Sequence, residues 1–280
     1  MISYWFFSRG LLNIHCKPIL SLTTHCNIII LKLLQFQEHP LREPNMNTDT
    51  TITKSGTDFK STNLDIALAI IATVGLPILC AKLYDLTGAL LPLAIYYGVF
   101  CYGIVKWRKG TLDYRWPKKL ITPLFLGLFI IQVLIAYCVG KLAISVEEIS
   151  LVGFTLTLII WAPLNAFAEQ LIWIYIYDAF ANRFEGKTLK IIFSGLGLLF
   201  YWGMIALIHI LFWTKFLMEF HHTPPLYWYI FMGLQYPLTI GYIIIYRKTK
   251  SMYPIALLHL FQDVTGLLAA GYSIVPYLIK

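Results

Sequence analysis

From residue 60 onward, long apolar runs alternate with short clusters of charge. Seven runs can be drawn, at roughly 64–84, 88–106, 120–140, 151–180, 191–213, 226–246 and 252–275. Their lengths are close to or above the ~20 residues that a helix needs to cross the hydrocarbon core of a bilayer. A spanning segment must satisfy its own backbone polar groups, so such runs predict helices. The pattern therefore predicts an all-α fold, a polytopic transmembrane helix bundle of about seven spans. An eighth would come from the N-terminal apolar segment. The fourth run contains Pro163, which removes a backbone hydrogen bond and favours a kink. Gly195 and Gly197 are expected to soften the start of the fifth. No internal repeat and no soluble domain is apparent.

The first 45 residues fit this pattern poorly. The run from Ile19 to Phe36 is interrupted by His25, Asn27 and Lys32, and it lacks the cleavage site of a signal peptide. Pro40 and Pro44 follow, then Met46 and the polar tract NTDTTITKSGTDFK. Residues 1–60 are expected to form a poorly ordered N-terminal segment, or an over-extended start with Met46 as the true initiator. Residues 61–280 form the bundle, with the region of chemical interest at 150–270.

Charge gives the bundle an orientation. Alternate connections carry 14 Lys and Arg, whereas the opposite set carries only Lys82, Lys141, Lys215 and Lys280. Basic residues resist translocation, so the first set is expected in the cytoplasm and the C-terminus outside. Composition agrees: 58% of the 280 residues are hydrophobic and 13% charged, against about 25% charged in soluble domains. The formal charge of +8 is then a matter of loop topology, and nucleic acid is not an expected partner. The five cysteines show neither CxxC nor Cys/His ligand spacing, so neither a disulfide framework nor a zinc ribbon is predicted. The aromatic run at 227–231 reads as an interfacial belt.

Ionisable groups inside the spans are few and costly to insert. Glu169 and Gln170 lie in the fourth, His209 in the fifth, and His259, Gln262 and Asp263 in the seventh. His259 and Asp263 are i and i+4, as are Asn165 and Glu169, so each pair shares one helical face. A plainer reading exists for each: a lone intramembrane His often satisfies an interhelical hydrogen bond, and Asp263 can simply orient His259. His221 and His222, beside Pro224 and Pro225, read as surface residues. Packing alone does not account for a Glu, a His and a His-xxx-Asp on three separate spans.

This ordered set resembles the CPBP family, the CAAX prenyl proteases and related bacterial Abi proteins, some of them linked to bacteriocin self-immunity. That family carries Glu-Glu-xxx-Arg, then Phe-xxx-His, then His-xxx-Asn or His-xxx-Asp, on different transmembrane helices. The stretch NAFAEQLIW at 165–173 is similar to the first motif, IALIH at 205–209 to the second and YPIALLHLFQD at 253–263 to the third. Gln170 replaces the second glutamate, Ile174 the arginine, Tyr175 the following glycine and Ile205 the phenylalanine.

The resemblance implies an intramembrane endopeptidase in which Glu169, His209, His259 and Asp263 are catalytic. Glu169 and His209 would activate a water, and His259 and Asp263 would stabilise the oxyanion. Its substrate would be a membrane-bound or lipidated peptide, and its location a bacterial plasma membrane. No tightly bound cofactor is expected. If a metal is present, zinc on Glu169, His209 and His259 is the set chemistry allows. The alternative is a non-catalytic member of the same fold that binds a peptide or partner protein, as in bacteriocin immunity. A proton-relay transporter is a third class, against which stands the lack of an inverted repeat. Along their spans, His259 lies about 10 Å from the cytoplasmic end, Glu169 about 16 Å and His209 about 20–25 Å. On these depths a cavity serving His259 is expected to open to the cytoplasm.

Overall fold

The structure is a computed structural model that describes residues 59–142, 150–216 and 225–280. The N-terminal apolar run, Met46 and the His221–His222 pair lie outside the described residues, as do the expectations that fall on them. Among the described residues, seven helices are long and apolar enough to cross a membrane: α1 Asn63–Thr87, α2 Leu90–Lys109, α3 Pro123–Leu142, α4 Leu151–Ala181, α5 Lys187–Leu211, α6 Pro225–Thr249 and α7 Tyr253–Ala270. The described residues contain no strand. The protein is an all-α, multi-pass membrane helix bundle.

Two of the prolines leave a common mark. Pro77 and Pro163 each follow a widened π-helical turn, at Ile71–Gly75 in α1 and Thr157–Trp161 in α4. A proline ring clashes with the carbonyl four residues before it, and a wider turn relieves that contact. The helix at Pro163 therefore runs on without a break. Gly197 does not soften the start of α5, which is already helical from Lys187. A Cβ at Gly197 would lie 2.7 Å from the Tyr177 carbonyl oxygen, so the absent side chain lets α5 and α4 backbones approach closely.

α4 is the axis of the bundle. It packs against α1, α2, α5 and α7, and every residue from 168 to 181 is buried. A helix apolar on all sides is an interior helix. Several of its polar side chains are paired by neighbouring helices. Asp178 accepts from Lys109 Nζ (3.0 Å) and Arg247 Nη2 (2.7 Å). Lys109 also reaches the Tyr246 hydroxyl (2.9 Å), which donates to Asp113 Oδ2 (2.6 Å). Tyr175 donates to Asp65 Oδ1 (2.8 Å), and Arg108 grips the same carboxylate through Nε (2.8 Å) and Nη2 (3.0 Å). These networks tie the ends of α2, α4 and α6 to the start of α1 at the basic end of the bundle.

The opposite end is closed differently. Lys215 pairs with Asp85 (2.7 Å). The C-terminal segment folds back so that Tyr277 and Leu278 carbonyls accept from Ala89 and Leu90 amides. Thr157 in the π turn of α4 receives the Ile274 amide (3.0 Å). Tyr84, Phe212 and Phe216 pack together beneath this segment.

The two kinds of ion pair predict unequal costs. Asp178→Ala leaves two buried cations facing one another, at a cost of about 3–5 kcal/mol. Asp85→Ala removes a pair whose side chains are 56% and 30% exposed, a change of about 1 kcal/mol or less. Thermal unfolding in detergent should therefore show a large loss for the first and a small one for the second. Orientation is checked by single cysteines at Lys118 and Thr214, both exposed and at opposite ends, in a chain with its five native cysteines replaced. An impermeant thiol reagent outside intact cells should label position 214 and leave 118 unlabelled. The reverse pattern overturns the orientation read from charge.

Candidate functional site

Two i, i+4 pairs meet across α4 and α7, which run antiparallel here. Asn165 stands opposite Asp263, and Glu169, one turn on, stands opposite His259. Asn165 Nδ2 donates to Asp263 Oδ2 (3.0 Å). His259 Nε2 lies 3.4 Å from Asp263 Oδ1 and 3.8 Å from Glu169 Oε2. The two carboxylates thus share one imidazole nitrogen, and these oxygens are at most about 7 Å apart. Antiparallel helices with matched i, i+4 polar pairs form such rungs because one turn of each advances by the same rise.

The surroundings fix this cluster from both helices and from α2. The Tyr97 hydroxyl donates to Asn165 Oδ1 (2.7 Å), so the Asn165 amide is held at both ends. Gln170 Nε2 lies 2.5 Å from His259 Nδ1. The Trp173 ring sits 5.3 Å from the imidazole, with Tyr201 of α5 on its other side at 6.0 Å. Tyr96 and Trp213 also face Glu169, yet Glu169 Oε1 and the Tyr96 hydroxyl close no hydrogen bond. Glu169 is 1% exposed and His259 6%, whereas Asp263 is half-buried. A carboxylate with an unpartnered oxygen in a buried, aromatic-lined site is unusual, since most buried polar atoms are paired.

His209 makes no direct bond to the cluster, although it lies close enough to His259 to act on it electrostatically. Its side chain is exposed, and Nδ1 donates to the Ile205 carbonyl one turn back (2.7 Å). Among the described residues no hydrogen bond or ion pair joins it to Glu169, His259 or Asp263. The buried face of α5 is set by Tyr201, Met204 and Ile208, and His209 follows Ile208 by about 100°. The structure thus brings together three of the four expected catalytic residues. The expected zinc set of Glu169, His209 and His259 does not fit this arrangement. Among the described residues no three His, Cys, Asp or Glu side chains are placed to hold a metal ion.

The residues that depart from the resembled motifs have structural roles. Ile174 is buried in the core, 1% exposed. Tyr175 reaches the Asp65–Arg108 pair. A narrow crevice at the basic end is lined by Lys109, Asp113, Leu171, Ile174, Tyr246 and Met252, but by none of Glu169, His259 or Asp263. It is therefore not the cytoplasm-facing cavity expected to serve His259. Tyr97 was not signalled by any motif, being one of many aromatic residues in an apolar run. Asn165 carries a legible signal, its i, i+4 relation to Glu169. In comparisons with protein-family models, curated proteins and solved structures, nothing matches this chain.

Proposed function

We propose that this chain is an intramembrane endopeptidase of the CPBP/Abi, CAAX protease-like type. It would act in a bacterial plasma membrane on a membrane-bound or lipidated peptide. The observation that carries this reading is the convergence of Glu169, His259 and Asp263, from two spans, around one imidazole nitrogen inside the bundle. Glu169 takes a proton from water as the water oxygen bonds to the scissile carbonyl carbon. His259 donates a hydrogen bond to the oxyanion that forms. Collapse of that intermediate breaks the C–N bond, and the proton on Glu169 passes to the departing amine. Asp263, braced by Asn165, orients the imidazole. The exposed His209 has no step in this sequence.

A second reading is a non-catalytic protein of the same kind that holds a peptide or a partner, as in bacteriocin immunity. The position of His209 outside the cluster favours it. The two are separated by purified protein in proteoliposomes, given quenched fluorescent peptides carrying a lipid anchor. Hydrolysis by the natural protein should fall by about 100-fold or more in Glu169→Gln, the scale of a general base. His209→Gln should remain within a few-fold of the natural rate. Equal rates for the natural protein and Glu169→Gln overturn the protease reading. Binding of the peptides without hydrolysis supports the second.

A further inference from the structure

His259 has chemically different neighbours at its two nitrogens. On the Nδ1 side is the Gln170 amide nitrogen at 2.5 Å. On the Nε2 side are two carboxylate oxygens, at 3.4 and 3.8 Å. An amide nitrogen only donates, so Nδ1 must accept and the ring proton resides on Nε2. The carboxylate oxygens can accept from an Nε2–H, so they are compatible with the same arrangement.

The opposite placement of the amide is worse. Gln170 Oε1 has no hydrogen-bond partner and is buried. Exchanging the two atoms would send both N–H donors of the amide to that position, where nothing receives them. A buried orphan N–H is rarer than an under-satisfied carbonyl. The Trp173 ring, inclined at 31° and 5.3 Å away, packs over the imidazole and restrains it from turning the nitrogens about. Gln170, Trp173 and Glu169 all come from the fully buried part of α4, so three of the four neighbours of His259 are placed by one rigid element and the fourth, Asp263, by its own helix.

We propose that Gln170 is a positioning residue that fixes His259 in its Nε2–H tautomer, so that the imidazole presents a hydrogen-bond donor to the cluster. As far as the reaction is concerned this rests on the peptidase reading; the tautomer does not. Gln170 is then a working replacement for the family's glutamate, with a different role. A glutamate at 170 would accept from Nδ1, draw the ring proton to that side and turn the Nε2 lone pair towards Glu169 and Asp263. It would also add a third carboxylate to a buried site. Gln170→Glu is therefore a loss, not a repair.

The test is nitrogen NMR of histidine-labelled protein in lipid nanodiscs, with the His259 signals assigned by their disappearance in His259→Gln. The natural protein should show a neutral His259 protonated at Nε2. Gln170→Glu should move the proton to Nδ1 or give a doubly protonated ring. A natural protein protonated at Nδ1 overturns the proposal, and so does a variant spectrum unchanged from the natural one. The natural spectrum decides the tautomer even if the variant does not fold. In the lipid-anchored peptide assay, an active protein should lose about 100-fold in kcat on Gln170→Glu, the scale of one oxyanion donor. Full activity in that variant overturns the donor role. An inactive protein with Nε2–H at His259 sinks the peptidase reading while the tautomer assignment stands.

Discussion

A helix enclosed on every side must find a partner within the protein for each polar group it carries. That constraint acts on residues 168–181 of α4, and most of the bundle can be read as its consequence. Asp178 draws in Lys109 from α2 and Arg247 from α6. Tyr175 leads to Asp65 of α1 and, through it, to Arg108. Gln170 and Glu169 draw in α7 through His259. Removing water makes an unpaired charge expensive, so four helices are tied to α4 by four of its side chains.

The same constraint explains which expectations the structure met. The seven spans were legible because bilayer thickness sets the length of an apolar run. The pairing of Glu169 with His259 and Asp263 was legible because i, i+4 spacing puts polar residues on one face. The depths were misleading. Counting from each helix end put Glu169 and His259 at different levels, but helices do not begin in one plane. The short link into α7 is drawn inward by the Met252 amide, which donates to the Asp113 carbonyl (3.1 Å). The start of α7 is thereby fixed by the loop after α2, which no span-by-span count includes.

Two other readings lacked the same information, the face or the partner of each residue. Arg108, Lys109 and Arg247 counted as topogenic loop charges, yet each ends in an ion pair with an Asp that is almost wholly buried. The Asp residues drew no notice because each lies near the end of a span, where a charge seems cheap. His209 fits a motif by order and spacing, yet Tyr201, Met204 and Ile208 set the buried face of α5 and His209 follows Ile208 by about 100°. A motif places a residue on a helix; only the helical period says which way it points.

Packing around the cluster is uneven, and the unevenness has a direction. Towards the basic end, α4 is clamped to α1, α2 and α6 by buried ion pairs, and Leu171, Ile174 and Met252 fill the space between. Along α7 beyond His259, residues 261–266 are all half-buried. At about 100° per residue, six in succession cover every face of the helix, so this stretch is less completely covered than the wall on the basic side. Much of the first half of α6 is also exposed, with Tyr229, Met232 and Tyr236 among the exposed side chains. The acidic cluster therefore hangs between a rigid wall and a loosely covered one. The wall supplies fixed geometry at Glu169 and Gln170, while Asp263, its side chain 11% exposed, lies towards the more open side.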